Sequence, residues 1–356
     1  MRSPKGLIPF ALPLVLASCA PGPSRPRPLV VFPPAPDTPR IQFLVGISEA
    51  ADLGGRPSLL EALAGQSGDA QASIIKPFGV SIASGKIYVC DTVYRGVAVI
   101  DLERRRLESF RPPDLPGRMR TPVNCFADER DGHLYVTDTG RRAVFVFDSS
   151  LEYVGQIGGA DGFRPNDAFV DDSVVWVTDA SSHRVRVYDR QTLVERWSFP
   201  DAEPPDPAFL HQPTNLHVTD DRVYVTDFGA FQVKVYDRQG RYLMSIGGYG
   251  DGLGQFARPK GVAVDRRSRV YVADAAFNNV QVFNSDGDLL LFFGGSGPGP
   301  GSLAFPAQVS IDYEHLEHFR RYVDESFDLE YLILIANQYG PAKVSVYGFV
   351  RPKGQG

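Results

Sequence analysis

Hydrophobic and polar positions alternate in short runs along most of the chain, and the runs recur in a fixed order. A proline opens an alternating stretch at Pro77, Pro122, Pro165, Pro213, Pro259 and Pro306, at intervals of 45, 43, 48, 46 and 47 residues. A second run pairs an aromatic residue with valine and ends in an acid at Asp91, Asp138, Asp179, Asp227 and Asp274, with a degenerate sixth copy at 334–337. A third begins at Val97, Val144, Val185, Val233, Val280 and Val344, and a fourth, closed by Gly-Gly, at Tyr153, Tyr242 and Leu290. Period-two runs of β-branched and aromatic residues bounded by Gly, Asp or Asn are half-buried antiparallel strands. Four of them per 40–50 residues make a propeller blade. The pattern predicts an all-β fold, a six-bladed β-propeller of four-stranded antiparallel blades with short helical insertions. The sixth unit lacks a fourth strand, and 40–46 is an unpaired strand of that type. The N-terminal strand is therefore expected to close the ring and remove an open sheet edge.

Two stretches interrupt the repeat. Leu316, Phe319, Val323 and Phe327 at helical spacing predict an amphipathic helix over 313–329, with His315 and His318 on its solvated face. A shorter helix is expected within 48–72, around Pro57. Ahead of the repeat, Arg2 and Lys5 precede a short apolar run and Leu16-Ala-Ser-Cys19. That is the layout of an export signal, and the apolar run is too short for a membrane span. Its last four residues resemble the lipobox of bacterial lipoproteins, which implies lipidation at Cys19 and, with Ala20 following, an outer-membrane destination. Eight prolines between Pro21 and Pro39 read as a semi-rigid extended spacer. The expected organisation is 1–18 signal peptide, 19–39 lipidated Cys and Pro-rich tether, 40–350 propeller and 351–356 tail.

The 356 residues carry a net charge of -5, which offers no basic footprint for nucleic acid. With 43% hydrophobic and 22% charged residues, the composition is that of a folded chain. Catalytic signatures are sparse. There is no Gly-x-Ser-x-Gly elbow or phosphate loop, and the glycines of 294–301 lie between strands, with no helix N-terminus to hold a phosphate. The repeated aspartates read as turn-builders, because a residue needed once per blade serves the blade. His217, alone on an inner strand, reads as a hydrogen-bonded packing residue, and Cys90 and Cys125 read as two buried thiols rather than a disulfide.

One position varies informatively. Two residues after each repeat proline stand Gly79 and Gly261, but Asn124, Asp167, Asn215 and Gln308 in the other blades. These polar side chains are expected to converge at one mouth of the channel. The loops sharing that mouth carry Tyr94, Phe228, Phe231, Phe277 and Tyr339. Convergent amides beside loop-tip aromatics suit a peptide, glycan or protein loop. The Asn and Asp oxygens would also suit a calcium ion, given one more acidic ligand.

The Pro-x-Gly-Val-Ala-Val, Tyr-Val-x-Asp and Val-x-Val-Phe/Tyr-Asp units resemble those of NHL-repeat six-bladed propellers, in particular bacterial lipoproteins of that fold, over residues 40–350. The chain departs from that pattern after the motif aspartates, where Arg is kept in the fifth position only at Arg184. The resemblance implies binding modules and sensors with a minority of enzymes. With no catalytic set in view, the expectation is a monomeric, non-enzymatic binding module without a cofactor, anchored in the cell envelope by its lipid alone and engaging an envelope protein, peptide or glycan. The alternative is a calcium- or zinc-dependent hydrolase or lyase of the lactonase or amidating-lyase type.

Overall fold

A computed structural model describes residues 28–54, 73–112 and 118–354. The leader, Cys19 and most of the 48–72 insertion lie outside the described residues. The strands form six antiparallel sheets. Five follow chain order, each starting on an inner strand: Pro77–Ala83, Pro122–Ala127, Pro165–Val170, Pro213–Val218 and Pro259–Val264. The sixth runs inner to outer as Pro306–Asp312, Phe327–Asn337, Val344–Pro352, Ile41–Ile47 and Val31–Phe32. The closing strand is the N-terminal one, as the repeat requires: Ile41 pairs with Phe349 and Ile47 with Val344.

The fifth strand of that sheet revises the expected spacer. Val31 and Phe32 pair with Gln42 and Ile41, and the Phe32 ring meets Phe293 at 6.2 Å and Tyr347 at 6.4 Å. The outer edge of the last blade had unpaired backbone groups to offer, so the second half of the Pro-rich stretch folds back onto it. The insertion in the sixth blade also differs from expectation. It holds two short 3-10 turns, Leu316–His318 and Arg320–Tyr322, in place of a helix, and Phe327 is already in a strand. The segment around Pro57 lies outside the described residues; a 3-10 turn, Ala50–Leu53, precedes it. His315 is not solvated. It is 8% exposed, its Nδ1 lies 2.8 Å from Asp312, and its Nε2 accepts the Gly85 N–H of the first blade.

Each inner strand begins in the same way. The proline faces the last residue of the second-strand motif, an acid in five blades (Pro165 opposite Asp179, Pro213 opposite Asp227) and Asn337 in the sixth, and the register then slips by a bulge. Proline is tolerated there because a strand start need not donate. A bulge re-aims the next side chains, and here it turns the second residue after each proline into the channel. Between neighbouring blades lie apolar layers; Tyr271, Phe293, Tyr347 and Phe349 fill the one between the fifth and sixth. Gly261 is needed where neighbouring inner strands approach closely, since a Cβ there would stand 2.6 Å from both Gln308 Cα and Val309 N. Gly261→Ala is expected to lower stability in a urea melt by about 1–3 kcal/mol. Gly248→Ala, whose Cβ would meet nothing within 4 Å, is expected to change it by less than about 0.5 kcal/mol. Equal effects would remove the close-approach explanation.

Candidate functional site

The inner strands run from an upper face, where each begins, to a lower face, where it turns into the second strand. The polar residues after the bulge meet inside the channel. Asn215 Nδ2 donates to Gln308 Oε1 at 3.1 Å, across the fifth blade, whose Gly261 leaves the gap. Both of these amides lie beside Asp167 and favour its ionised form. Its Oδ1 also accepts the Ala168 N–H at 2.9 Å, and its Oδ2 the Leu216 N–H at 3.0 Å. Burial is the largest influence on this carboxyl, and even against the two backbone donors and the neighbouring amides it pushes the pKa up to about 7. Asn124 stands over Gly79, its Oδ1 accepting the Cys125 N–H at 3.0 Å.

Asp167 and Gln308 form the floor of a cavity of about 360 Å³ that opens downward, lined near its mouth by Asp128, Glu129, Arg130, Arg266 and Glu314. Two residues further along each inner strand, the walls differ by side. Phe126, Phe169 and His217 form an aromatic row, with ring centroids 4.9 and 5.1 Å apart, and Ser81, Ala263 and Ser310 leave the opposite side open. His217 makes no hydrogen bond to any described residue, which corrects the reading of a bonded packing residue. Burial lowers its pKa to about 4, so a neutral imidazole faces the cavity at neutral pH. The charges at the mouth are paired. Arg130 grips Asp128 through Nε and Nη2, each at 2.7 Å, and Arg266 meets Glu314 at 3.0 Å.

The polar floor and the loop aromatics therefore belong to different places. Tyr94, Phe228, Phe231, Phe277 and Tyr339 lie on loops of the upper face, whereas the cavity that Asp167 and Gln308 line opens at the lower one. Several of the aromatics hold local partners. Tyr94 packs beside Gly96 under the Arg111 guanidinium at 5.3 Å, and the Phe277 N–H donates to Asp274. Phe228 lies 5.5 Å from Lys260 Nζ, and Tyr339 packs on Phe305 at 5.4 Å. Phe231 packs on Tyr249, itself 74% exposed, at 4.8 Å. What separates the two groups is depth: the bulge sends the polar residues inward, and all four are less than 9% exposed.

The repeated aspartates are clamps, as their periodicity suggested. Asp91 accepts N–H bonds from Ile75, Lys76, Val93 and Tyr94, tying the segment before the inner strand to the turn after the second. Cys90 and Cys125 are free, buried thiols in one apolar layer. The channel does not fit a calcium ion. Calcium takes six to eight oxygens, several of them carboxylate. Here the one carboxylate already accepts two backbone N–H groups, and Gln308 Oε1 accepts Asn215. Among the described residues no group of three His, Cys, Asp or Glu could hold a metal. What the channel can do chemically is shift a proton near neutral pH, beside a neutral imidazole and amide donors. Sequence reasoning found Asp167 and its amides but missed Phe126, Phe169 and His217; aligning the fourth residue after each repeat proline would have exposed them.

Comparison with known proteins agrees with the architecture. A gluconolactonase of Xanthomonas campestris superposes with a TM-score of 0.53 at 19% identity, over 92% of this chain and 99% of the other. A streptogramin B lyase superposes with a TM-score of 0.51 at 12% identity, over 76% and 82%. A Bacteroides thetaiotaomicron protein of unknown function superposes with a TM-score of 0.57 at 14% identity, over 88% and 76%. At these identities the likeness is one of fold. No curated protein matches the sequence. The model of the SMP-30/gluconolactonase/LRE-like region matches residues 79–305, more than half of the chain. The chain thus belongs to the SMP-30/gluconolactonase/LRE-like family.

Proposed function

We propose that the chain is a hydrolase or lyase acting on a small polar molecule in the lower channel, with Asp167 as its general acid–base. The observation that carries this reading is a buried carboxyl poised at about 7 on the floor of a ligand-sized cavity. Membership of a family that includes gluconolactonases supports the enzymatic alternative over a scaffold working through the upper loops. In the proposed chemistry the Asp167 carboxylate accepts a proton from an attacking water or from a substrate carbon. The Asn215 and Gln308 amides hold that carboxylate in place, and the Phe126–Phe169–His217 row seats the apolar face of the substrate. The test is turnover of a panel of sugar lactones, acyl lactones and cyclic depsipeptides by the wild type and Asp167→Asn. A loss of about 10²–10⁴ in kcat/KM is expected for the variant, and a limb near pH 7 in the wild-type profile. Full activity in the variant, or no turnover of any substrate, would overturn the assignment.

The resemblance of the repeat units to those of NHL-repeat lipoproteins bears on location. We infer an exported protein tethered to the envelope through Cys19, on the strength of the leader and lipobox. Cells fed a clickable fatty acid are expected to label the wild type and leave Cys19→Ala unlabelled. Equal labelling of both would place the modification elsewhere.

A further inference from the structure

A second cavity lies on the outside of the ring, between the fifth and sixth blades, and its volume is about 480 Å³. Its walls bring together Arg40, Arg267, Arg269 and Arg351 with a single carboxylate, Glu330. The chain as a whole carries a net charge of -5, so this concentration of cations does not follow from its composition. Arg269 is committed. It is bonded to Asp265 at 2.5 Å and to the Tyr331 hydroxyl at 2.7 Å, and lies 4.0 Å over the Phe349 ring. The other three are not. Arg267 and Arg351 stand 3.6 and 4.0 Å from Glu330, beyond hydrogen-bond reach, and the exposed Arg40 guanidinium has no partner among the described residues. Two guanidiniums sharing one distant carboxylate, beside a third with no partner among the described residues, form an anion receptor, and their planar forks match phosphate oxygens.

Two apolar side chains select the kind of anion. Leu290 lines the cavity at 51% exposure, and Phe292, 48% exposed, follows on the same face of the same strand. Cationic groups beside exposed Leu and Phe suit the boundary between headgroups and acyl chains, which a soluble phosphate ester does not provide. Pro33 and Thr38 of the folded-back N-terminal segment complete the wall. The inferred lipid at Cys19 lies nine residues before residue 28, about 28 Å of extended chain. We propose that this cavity seats the phosphate of an anionic phospholipid headgroup and so orients the propeller on the membrane, with Leu290 and Phe292 touching the acyl boundary.

The test is calorimetric titration of the full chain with water-soluble dihexanoyl phosphatidylglycerol, dihexanoyl phosphatidylcholine and inorganic phosphate. The wild type is expected to bind phosphatidylglycerol at least about tenfold more tightly than the other two probes, and Arg40→Gln/Arg351→Gln to lose about tenfold or more of that affinity. Leu290→Ser/Phe292→Ser is expected to weaken phosphatidylglycerol binding with no effect on phosphate. Both pairs are exposed, so unchanged melting temperatures would show that the variants fold. Undetectable phosphatidylglycerol binding, equal affinity in the arginine variant, or inorganic phosphate binding as tightly as the lipid would each overturn the proposal.

Discussion

Asp167→Asn is expected to lower kcat/KM by about 10²–10⁴ and to gain stability relative to the wild type by about 2–3 kcal/mol as pH rises from 5 to 8. An ordinary Asp titrates near 3.8, whereas burial raises Asp167 to about 7 in the folded chain. A carboxyl raised in this way favours folding while it is protonated. Its contribution is complete below the unfolded pKa and disappears as pH climbs through the folded one. At pH 8 the wild type must hold an anion in a poorly solvated channel, and a neutral amide avoids that cost. The amide has its own penalty at every pH, because Asn can offer only one oxygen to the Ala168 and Leu216 N–H groups that Asp167 now satisfies with two. That lost bond costs about 1–3 kcal/mol. The variant should therefore gain on the wild type between pH 5 and pH 8 from an offset that the lost bond sets. Urea melts at the two pH values measure that gain. Parallel stability curves would mean that Asp167 is ionised throughout, and the acid–base role would go with it. A site that is destabilising when charged is the usual mark of a group kept for chemistry.

A second large effect is expected at a residue with no part in that chemistry. Asp227→Ala should destabilise the fold by about 3–5 kcal/mol. The side chain is fully buried and accepts N–H bonds from His211 at 2.9 Å and Gln212 at 2.7 Å. It also lies 3.6 Å from Lys234 Nζ, a buried ammonium that donates to the carbonyls of Pro207 and Phe209. Alanine would orphan two backbone donors and strip a buried cation of its counter-charge at once. Adding Lys234→Met should recover part of the loss, since the unpaired charge goes with it. The activity of each folded molecule should persist, because the clamp sits at the upper face and the cavity opens at the lower. A loss below about 1 kcal/mol, or a selective loss of activity, would return the repeated aspartates to the list of ligand candidates.

Much of this molecule was legible in the chain because a repeat averages out local noise. Six prolines at near-constant spacing and the missing fourth strand of the last unit led to six blades closed by Ile41–Ile47. Single segments without a repeat to check them were read less well. The helical spacing of Leu316, Phe319, Val323 and Phe327 gave way to two short turns, because Phe327–Asn337 extends to pair along the whole of Val344–Pro352. Tertiary pairing overrode local pattern there. The same holds for Val31 and Phe32, whose prolines suggested a free spacer until a sheet edge was available to take them.

For the site the division is sharper. Residue identity alone picked out Asn124, Asp167, Asn215 and Gln308, because they break the Gly79 and Gly261 pattern at a position the blade does not need filled. It could not say that the bulge after each proline drives them below the upper mouth, that Gly261 lets Gln308 reach across to Asn215, or that the resulting pocket faces downward. Nor could it raise the Asp167 pKa to about 7 or collect four arginines from three separate stretches of chain into one groove. A repeating pattern of burial determines the fold, since it is set by neighbours along the chain. The depth of a side chain, the solvent it loses and the charges it meets come from residues tens to hundreds of positions away, and only the closed ring brings those together.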